Sequence, residues 1–408
     1  MSGPAPRLRV VHVIDSLAGS GGAENRLVDE VLAMRRRCDQ RVVRLFERHA
    51  LEDRLVGGGV PVTALGFRAA HAGRSWPAAA RRLVAMLAAE PPDVLHTSLF
   101  TGNLVGQLAG ARLGIPVVST FNRTGDVALQ RRLQPGVASW RGRALQAVGR
   151  RAARCGDVHY RAVGRYAGAT NCAALRLPPG RCTVVPRGVG VDPPPARRRA
   201  DLGLPEGVPL FVNVARLVPE KAQHLLVRAF ARVRSVLPDA HLAVVGAPGS
   251  ASGAVAEAGR GAGVEGAVSL LGFRPDARQV VAAADVFAFS SVSEGSPGAV
   301  VEALALGMPV AAFGIPPVAE LTDGGAHAWL APPLDVGALA EAMLGAWRAT
   351  GDEARRAATR SWAADRYALD AVAARLADLL EHRARGGGPR PRRRPRWSAT
   401  STTGGGPG

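Results

Sequence analysis

The segment Ser293-Glu294-Gly295-Ser296-Pro297-Gly298-Ala299-Val300-Val301-Glu302 gathers residue types that could handle a phosphate and a polyol side by side. It follows the apolar run Val286–Ser290 and leads into a helical pattern. Ser296 suits an N-cap, Pro297 the first helical position, and Gly307 the helix end. A helix start of this kind offers free N–H groups and the positive end of a dipole, which favour an anion such as phosphate. The carboxylates of Glu294 and Glu302 are unsuited to that anion, and accepting hydrogen bonds from sugar hydroxyls is the natural job for them. An ordinary strand-turn-helix with two solvated glutamates has the same spacing.

A second cluster, Asn213 to Lys221, follows the run Leu210–Val214 and carries Arg216 and Lys221. Two cations on a loop after a strand would complement a helix N-terminus as a diphosphate clamp. Of the 52 basic residues only Lys221 is lysine, so 52 − 1 = 51 are arginine. Surface charge would explain Arg216 as readily as a site does. It explains Lys221 less well, because a bias that favours arginine everywhere else spares this compact ammonium. The third cluster, Gly19-Ser20-Gly21-Gly22-Ala23-Glu24, lies between the first strand and the first helix, where glycine lets a ligand approach the backbone. Tight-turn geometry alone also accounts for it, and the full G-x-G-x-x-G fingerprint is missing.

These clusters need a frame to position them. Apolar runs at Arg9–Ile14, Val42–Phe46, Val60–Leu65, Val94–His96 and Val117–Phe121 alternate with helical stretches at Ala23–Arg36, Ala78–Ala89 and Gly102–Leu113. Continuous apolar strands between helices indicate a parallel sheet covered on both faces. A Pro- and Arg-rich stretch around Val185–Ala200 reads as a linker, after which the alternation resumes with Leu210–Val214, the helix Ala222–Val236, His241–Val245, Val268–Leu271, Val286–Ser290, the helix Pro297–Leu306 and Pro309–Phe313. The expected layout is two doubly wound α/β domains facing a cleft, with ligands at the carboxyl ends of the strands. Its boundaries are 1–190, a linker 191–205, a second domain 206–352, a helix 353–384 returning toward the first domain, and a disordered Arg/Gly/Pro tail 385–408.

The chain has 408 residues, 47% of them hydrophobic and 21% charged, which fits two or three globular domains and excludes wholesale disorder. The four cysteines show no zinc spacing, and no D-x-D metal signature occurs, so no metal and no resident cofactor are expected. No apolar run has the ~20 residues of a membrane span. A cytoplasmic chain is expected. The net charge of +19 would suit polyanions, but aromatics are 5%, too few for a base-stacking pattern, and no nucleic-acid partner is expected.

Taken together and in this order, Gly21-Gly22-Ala23-Glu24, the pair Arg216 and Lys221, and the E-x7-E motif from Glu294 to Glu302 resemble the retaining glycosyltransferases of family 4, which have the GT-B architecture of two Rossmann-like domains. The resemblance runs from about Arg9 to Leu380 and includes Pro186-Arg187-Gly188 after a short strand. It implies a nucleotide-diphosphate sugar in the C-terminal domain, most readily a UDP-sugar, with a GDP-sugar as the alternative. Arg216 and Lys221 would hold the diphosphate, Glu302 the ribose and Glu294 the donor sugar. Ser296, Pro297, Gly298 and Ala299 would meet phosphate or sugar, and Gly21 and Gly22 would approach from the other domain. A glycan, lipid-linked or small-molecule hydroxyl would be the acceptor.

Two positions depart from the family pattern. Many members carry a histidine in the loop after the strand matching Val117–Phe121, where this chain has Asn122. The usual Pro-Asn-Gly turn is Pro186-Arg187-Gly188. An amide cannot take a proton, so His96, at the end of its strand, is the remaining ionisable candidate, and a core or capping histidine is the alternative for it. Between Arg131 and Arg165 lie nine arginines and one acid, Asp157, interleaved with apolar residues. They would suit an anionic membrane surface, unless arginine is simply the default polar residue of this chain. A catalytically silent module binding nucleotide sugars or polyanions is the competing reading of the whole. A phosphorylase is disfavoured, because its cofactor lysine would have to be Lys221.

Overall fold

The computed structural model describes residues 7–19, 21–68, 72–125, 140–178 and 180–386. The chain divides into two compact units, one of Met1–Gly188 with Leu369–Gly408, the other of Val189–Ala368.

In unit 1 the order is β1 (Leu8–Ile14), α1 (Gly22–Met34), β2 (Cys38–Phe46), α2 (Glu52–Gly57), β3 (Val62–Phe67), α3 (Ala72–Ala89), β4 (Val94–Ser98), α4 (Phe100–Leu113), β5 (Val117–Phe121), α5 (Trp140–Ala152), β6 (Val158–Ala162), α6 (Arg165–Leu175) and β7 (Cys182–Val184). These strands form one parallel seven-stranded sheet, ordered β3-β2-β1-β4-β5-β6-β7. Alternate residues face opposite sides, so Val11, Leu95 and Val117 pack with Leu83 and Val105 on one face, and Val10, Val94 and Val118 serve the other. The second face is covered by the last described helix of the chain (Leu369–Gly386), whose Val372, Leu376 and Leu380 recur at helical spacing and are fully buried.

Unit 2 runs β8 (Leu210–Val214), α7 (Gln223–Arg234), β9 (His241–Val245), α8 (Ser252–Gly261), β10 (Val268–Gly272), α9 (Ala277–Ala282), β11 (Val286–Phe289), α10 (Gly298–Ala305), β12 (Val310–Phe313), α11 (Pro316–Leu321), β13 (Trp329–Ala331), α12 (Val336–Arg348) and α13 (Glu353–Tyr367). Its parallel six-stranded sheet is ordered β10-β9-β8-β11-β12-β13. In each sheet the order of strand addition therefore reverses once, between β1 and β4 in unit 1 and between β8 and β11 in unit 2. The carboxyl ends of those strand pairs are where an open α/β sheet leaves a crevice.

The structure corrects five expectations. The stretch placed as a linker folds into unit 2, with Leu202 and Leu204 buried in its core. The single helix expected over 353–384 is two helices. α13 packs on α10 in unit 2, the chain turns extended at Ala368 (φ −54°, ψ 129°), and α14 (Leu369–Gly386) belongs to unit 1. Val189 N–H donates to Tyr367 C=O at 2.8 Å, and Val189 bridges to Ala368, which explains why helix geometry stops there. The third strand begins at Val62, two residues late. Finally, the apolar-run criterion misses β6, because His159 and Arg161 interrupt it although all five of its residues are buried. The tail expected from 385 onward is helical through Gly386, and residues 387–408 lie outside the described residues.

Candidate functional site

In unit 2 the expected residues converge where β8 and β11 end side by side. The chain leaving β8 is tied down by Ala215 N–H to Val245 C=O (2.9 Å) and Leu217 N–H to Ala247 C=O (3.1 Å). Glycine is required opposite this loop, since a Cβ on Gly246 would lie 1.9 Å from the Ala215 carbonyl oxygen. A single 3-10 turn, Pro219–Lys221, follows, and Ala222 takes a left-handed conformation (φ 47°) to start α7. The segment after β11 grips this turn. Ser290 Oγ donates to Lys221 C=O (2.9 Å), Ser291 Oγ to Glu220 C=O (3.0 Å), and Val292 N–H to Glu220 C=O (2.9 Å). Those three bonds bring Lys221 Nζ onto Glu294 Oε1 in a close, partly buried ion pair. Arg216 is exposed on the same loop, and Glu302 is half-buried on the second turn of α10.

The helix start differs from expectation. α10 begins at Gly298 with Pro297 as its N-cap, and no side chain caps it. Ser296 turns inward instead; its Oγ is buried and has no hydrogen-bond partner. The first N–H groups of α10 therefore stand without a side-chain acceptor at the same sheet edge. Two further polar atoms nearby are buried without a partner. Asn213 gives its Nδ2 to Ala288 C=O (2.8 Å) and Gln223 gives its Nε2 to Arg216 C=O (3.0 Å), which leaves Asn213 Oδ1 and Gln223 Oε1 unfilled. The sequence marks Asn213 only as the start of the second cluster and gives it no role, and it does not single out Gln223; an Asn inside an apolar strand and a Gln two residues after the only lysine are the signals it offers.

In unit 1 the loop after β1 is built around Glu24, 6% exposed. Its carboxylate accepts from Ser16 Oγ (2.5 Å), Ala18 N–H (3.2 Å) and Gly21 N–H (3.2 Å). Asn25 Nδ2 donates to Gly19 C=O (2.7 Å). Glu24 thus orders the loop that exposes Gly22. An added Cβ on Gly22 would meet nothing closer than Arg187 Nη1 at 3.8 Å, so packing within the unit does not demand glycine there. Asp15, at the end of β1, accepts from Gly102 N–H (2.5 Å) at the start of α4, and burial pushes its carboxyl up to about 6 against that bond.

His96 lies inside the sheet, not at its rim. It is the third residue of β4, in register with His12, and 1% exposed. Its tautomer follows from its neighbours. Gln40 spends its Nε2 on Val31 C=O, so its Oε1 must accept from His12 Nε2–H. His12 Nδ1 then accepts from His96 Nδ1–H at 2.9 Å, and His96 Nε2 accepts from Thr120 Oγ1–H at 2.9 Å. Burial first, and then His12 and Arg161, hold the His96 imidazole well below its ordinary range. Both ring nitrogens are committed, which removes it as a group that could meet an acceptor hydroxyl.

Asn122, just past β5, and Arg187, just past β7, are brought together, with Arg187 Nη2 donating to Asn122 Oδ1 at 2.9 Å. They line a pocket at the carboxyl edge of the unit 1 sheet that also involves Arg161 and Glu30. Arg161, counted in the basic segment by sequence, is 2% exposed and bound to Glu30. Residues 131–139 of that segment lie outside the described residues. Among the described residues no three His, Cys, Asp or Glu side chains meet as metal ligands, and no helix is long and apolar enough to cross a membrane.

Residues 21–188 match the family model for the glycosyl transferase 4-like domain, and residues 208–348 match that for glycosyl transferases group 1. The chain is 35% identical over 101 residues to an uncharacterized glycosyltransferase of Methanocaldococcus jannaschii, covering 25% of each chain. It is 26% identical over 236 residues to the UDP-Gal:alpha-D-GlcNAc-diphosphoundecaprenol alpha-1,3-galactosyltransferase of Escherichia coli, covering 56% of this chain and 59% of that one. Less than two thirds of either relative is thus spanned. Among solved structures, Anabaena Alr3699/HepE in complex with UDP superposes with a TM-score of 0.76 at 22% identity, over 92% of this chain and 100% of that one. That likeness shows the fold.

Proposed function

We propose that this chain, a GT-B protein assembled from a glycosyl transferase 4-like domain and a glycosyl transferases group 1 domain, moves a sugar from a nucleoside-diphosphate sugar to an acceptor hydroxyl with retention at the anomeric carbon. The observation that carries the reading is the meeting of Lys221 and Glu294 at the β8/β11 edge, beside an uncapped helix start and the buried, unpartnered Ser296 hydroxyl. Such an edge supplies cation, N–H donors and carboxylate acceptors together, which is what a diphosphate joined to a sugar requires.

In this reading Arg216, Lys221 and the N–H groups of Gly298 and Ala299 take the diphosphate, Glu302 the ribose, and Glu294 the sugar. The bond from the anomeric carbon to the β-phosphate oxygen breaks, and the acceptor oxygen bonds to the same face. The acceptor's proton passes to the departing phosphate oxygen, so no protein base is needed. His96 and Asn122 could not serve as one. Catalysis then rests on orientation and on stabilising charge on the leaving diphosphate. A uridine base is supported by the UDP and UDP-glucose bound in fold neighbours, and glycan or lipid-linked acceptors by the names of relatives in lipopolysaccharide and diphosphoundecaprenol chemistry.

The test is a thermal-shift screen against UDP-, GDP-, ADP- and TDP-sugars, followed by UDP release and NMR of the product anomer. Stabilisation by one nucleotide sugar with turnover and retained configuration is expected. Binding without release of nucleotide under any acceptor would identify a silent binding module, and an inverted anomer would refute retention.

A further inference from the structure

We infer that Arg187 sets which end of the Asn122 amide faces the unit 1 pocket, so that this chain offers a fixed hydrogen-bond donor to a ligand oxygen there. The identity of that oxygen rests on the transfer reading above; the orientation of the amide does not.

Asn122 and Arg187 are the two positions at which this sequence leaves the pattern of the family it resembles. The structure joins both departures in one hydrogen bond, Arg187 Nη2–H to Asn122 Oδ1 at 2.9 Å. A guanidinium has only donors, so the amide must turn its oxygen to Arg187. The flipped amide would set N–H against N–H. Asn122 Nδ2 is therefore directed away from Arg187, and it is buried without a hydrogen-bond partner. Ala23, Arg26, Leu27, Ser98, Thr120 and Val163 also line the pocket around the pair. An unsatisfied buried N–H is destabilising, and an incoming oxygen would satisfy it. A histidine in this place could donate or accept according to tautomer and pH. An amide locked by arginine donates at every pH at which the protein is folded. Arg187 is thus a positioning residue that acts through Asn122, and the ligand atom is an oxygen with a free lone pair, from a sugar hydroxyl or a phosphoryl group.

The experiment compares Arg187→Lys, Arg187→Met, Asn122→Asp and wild type by UDP release from UDP-glucose, by calorimetric binding of UDP and of UDP-glucose, and by the Asn122 side-chain amide resonances of the free protein. Asn122→Asp keeps an acceptor for Arg187 and removes the donor. Loss of one hydrogen bond to the ligand corresponds to roughly tenfold. Arg187→Met and Asn122→Asp are expected to lose about that much in kcat/KM, with unchanged Tm, while Arg187→Lys retains most of it. The amide resonances should move in Arg187→Met and stay in Arg187→Lys. Weakened binding of UDP-glucose alone would place the oxygen on the sugar, and weakened binding of both would place it on a phosphate. Unmoved amide resonances in Arg187→Met, or equal losses in the lysine and methionine variants, would overturn the inference. If wild type binds no nucleotide sugar at all, the transfer reading fails, and the amide resonances still decide the role of Arg187.

Discussion

Lys221, the only lysine of the chain, holds Glu294 in an ion pair across the ends of two adjacent strands. The ammonium is therefore kept at the sheet edge by a partner that a sugar hydroxyl could also engage. Lys221→Ala and Glu302→Ala are each expected to reduce UDP release by roughly 10²–10³-fold, the usual cost of removing a preorganised contact to a developing charge. Because Lys221 is unique, acylation of side-chain amines read by mass spectrometry reports this site alone. Bound UDP should protect it; wild-type turnover in either variant, or acylation indifferent to UDP, would refute the assignment.

Two glycines should respond in opposite ways to alanine. At Gly22 the new methyl finds 3.8 Å of clearance, so the melting temperature should hold while nucleotide-sugar turnover falls. At Gly246 it would sit 1.9 Å from the Ala215 carbonyl, so the loop carrying Arg216 must move and the fold should lose several kcal/mol, on the order of a severe core change. Thermal melts with UDP-release assays separate the two; a Gly22→Ala protein that turns over normally would mean that no ligand approaches there.

Glu30 and Arg161 form a two-pronged pair, 2.6 Å for each bond, with both side chains almost wholly buried. Arg161 also donates to the carbonyls of Val185 and Pro186, so the pair positions the turn that carries Arg187. Removing one partner leaves an uncompensated buried charge, and Glu30→Ala should cost about 3–5 kcal/mol in urea denaturation. A loss below about 1 kcal/mol would show that water reaches the guanidinium.

Acid should weaken unit 1 at a pH well above the ordinary carboxylate range. Burial lowers His12 to about 4 and His96 well below 6.5, so the folded protein keeps both neutral while the unfolded chain protonates them near 6.5. Their contribution is complete above that pH and is lost as pH falls toward 4, at about 1.4 kcal/mol per pH unit for each proton. His159 acts in the same direction. Asp15, raised to about 6, opposes them by taking up its proton earlier in the folded state, between about 6 and 3.8. The sum still favours unfolding. Urea midpoints should drop between pH 6.5 and 5, and a flat profile would contradict the buried histidine chain.

Of the nine arginines between 131 and 165, Arg161 is buried, while Arg150, Arg151, Arg154 and Arg165 are exposed and could meet an anionic surface. Each is worth ~1 kcal/mol near such a surface, and salt screens the attraction within a Debye length. Co-sedimentation with anionic, but not neutral, vesicles is expected at low salt and should fade as salt rises. Arg383 is bound to Asp157, so the informative truncation ends after Gly386. Binding that vanishes on that truncation would transfer the contact to the tail, and no preference for anionic vesicles would dismiss it.

Sequence by itself determined the class of fold and which residue types gather at one sheet edge. Parallel strands buried on both faces must be written as continuous apolar runs, and the clusters at Gly21–Glu24, Arg216–Lys221 and Glu294–Glu302 fall where such strands end. Both properties are local, so local patterns carry them. Only the tertiary structure decided what each polar residue faces. His96 looks the same in sequence at a strand's rim or its middle, and the register with His12 makes it a core residue. Arg161 breaks an apolar run yet belongs to a buried strand, because Glu30, 131 residues earlier, neutralises it. Ser296 has the composition of an N-cap and turns inward while Pro297 takes that place. Asn122 and Arg187 read as two unrelated departures until the fold sets them 2.9 Å apart. Contacts between residues distant in the chain leave no periodic trace, since hydrogen-bond partners are chosen by strand order and register, which the amino-acid pattern of either segment alone does not encode.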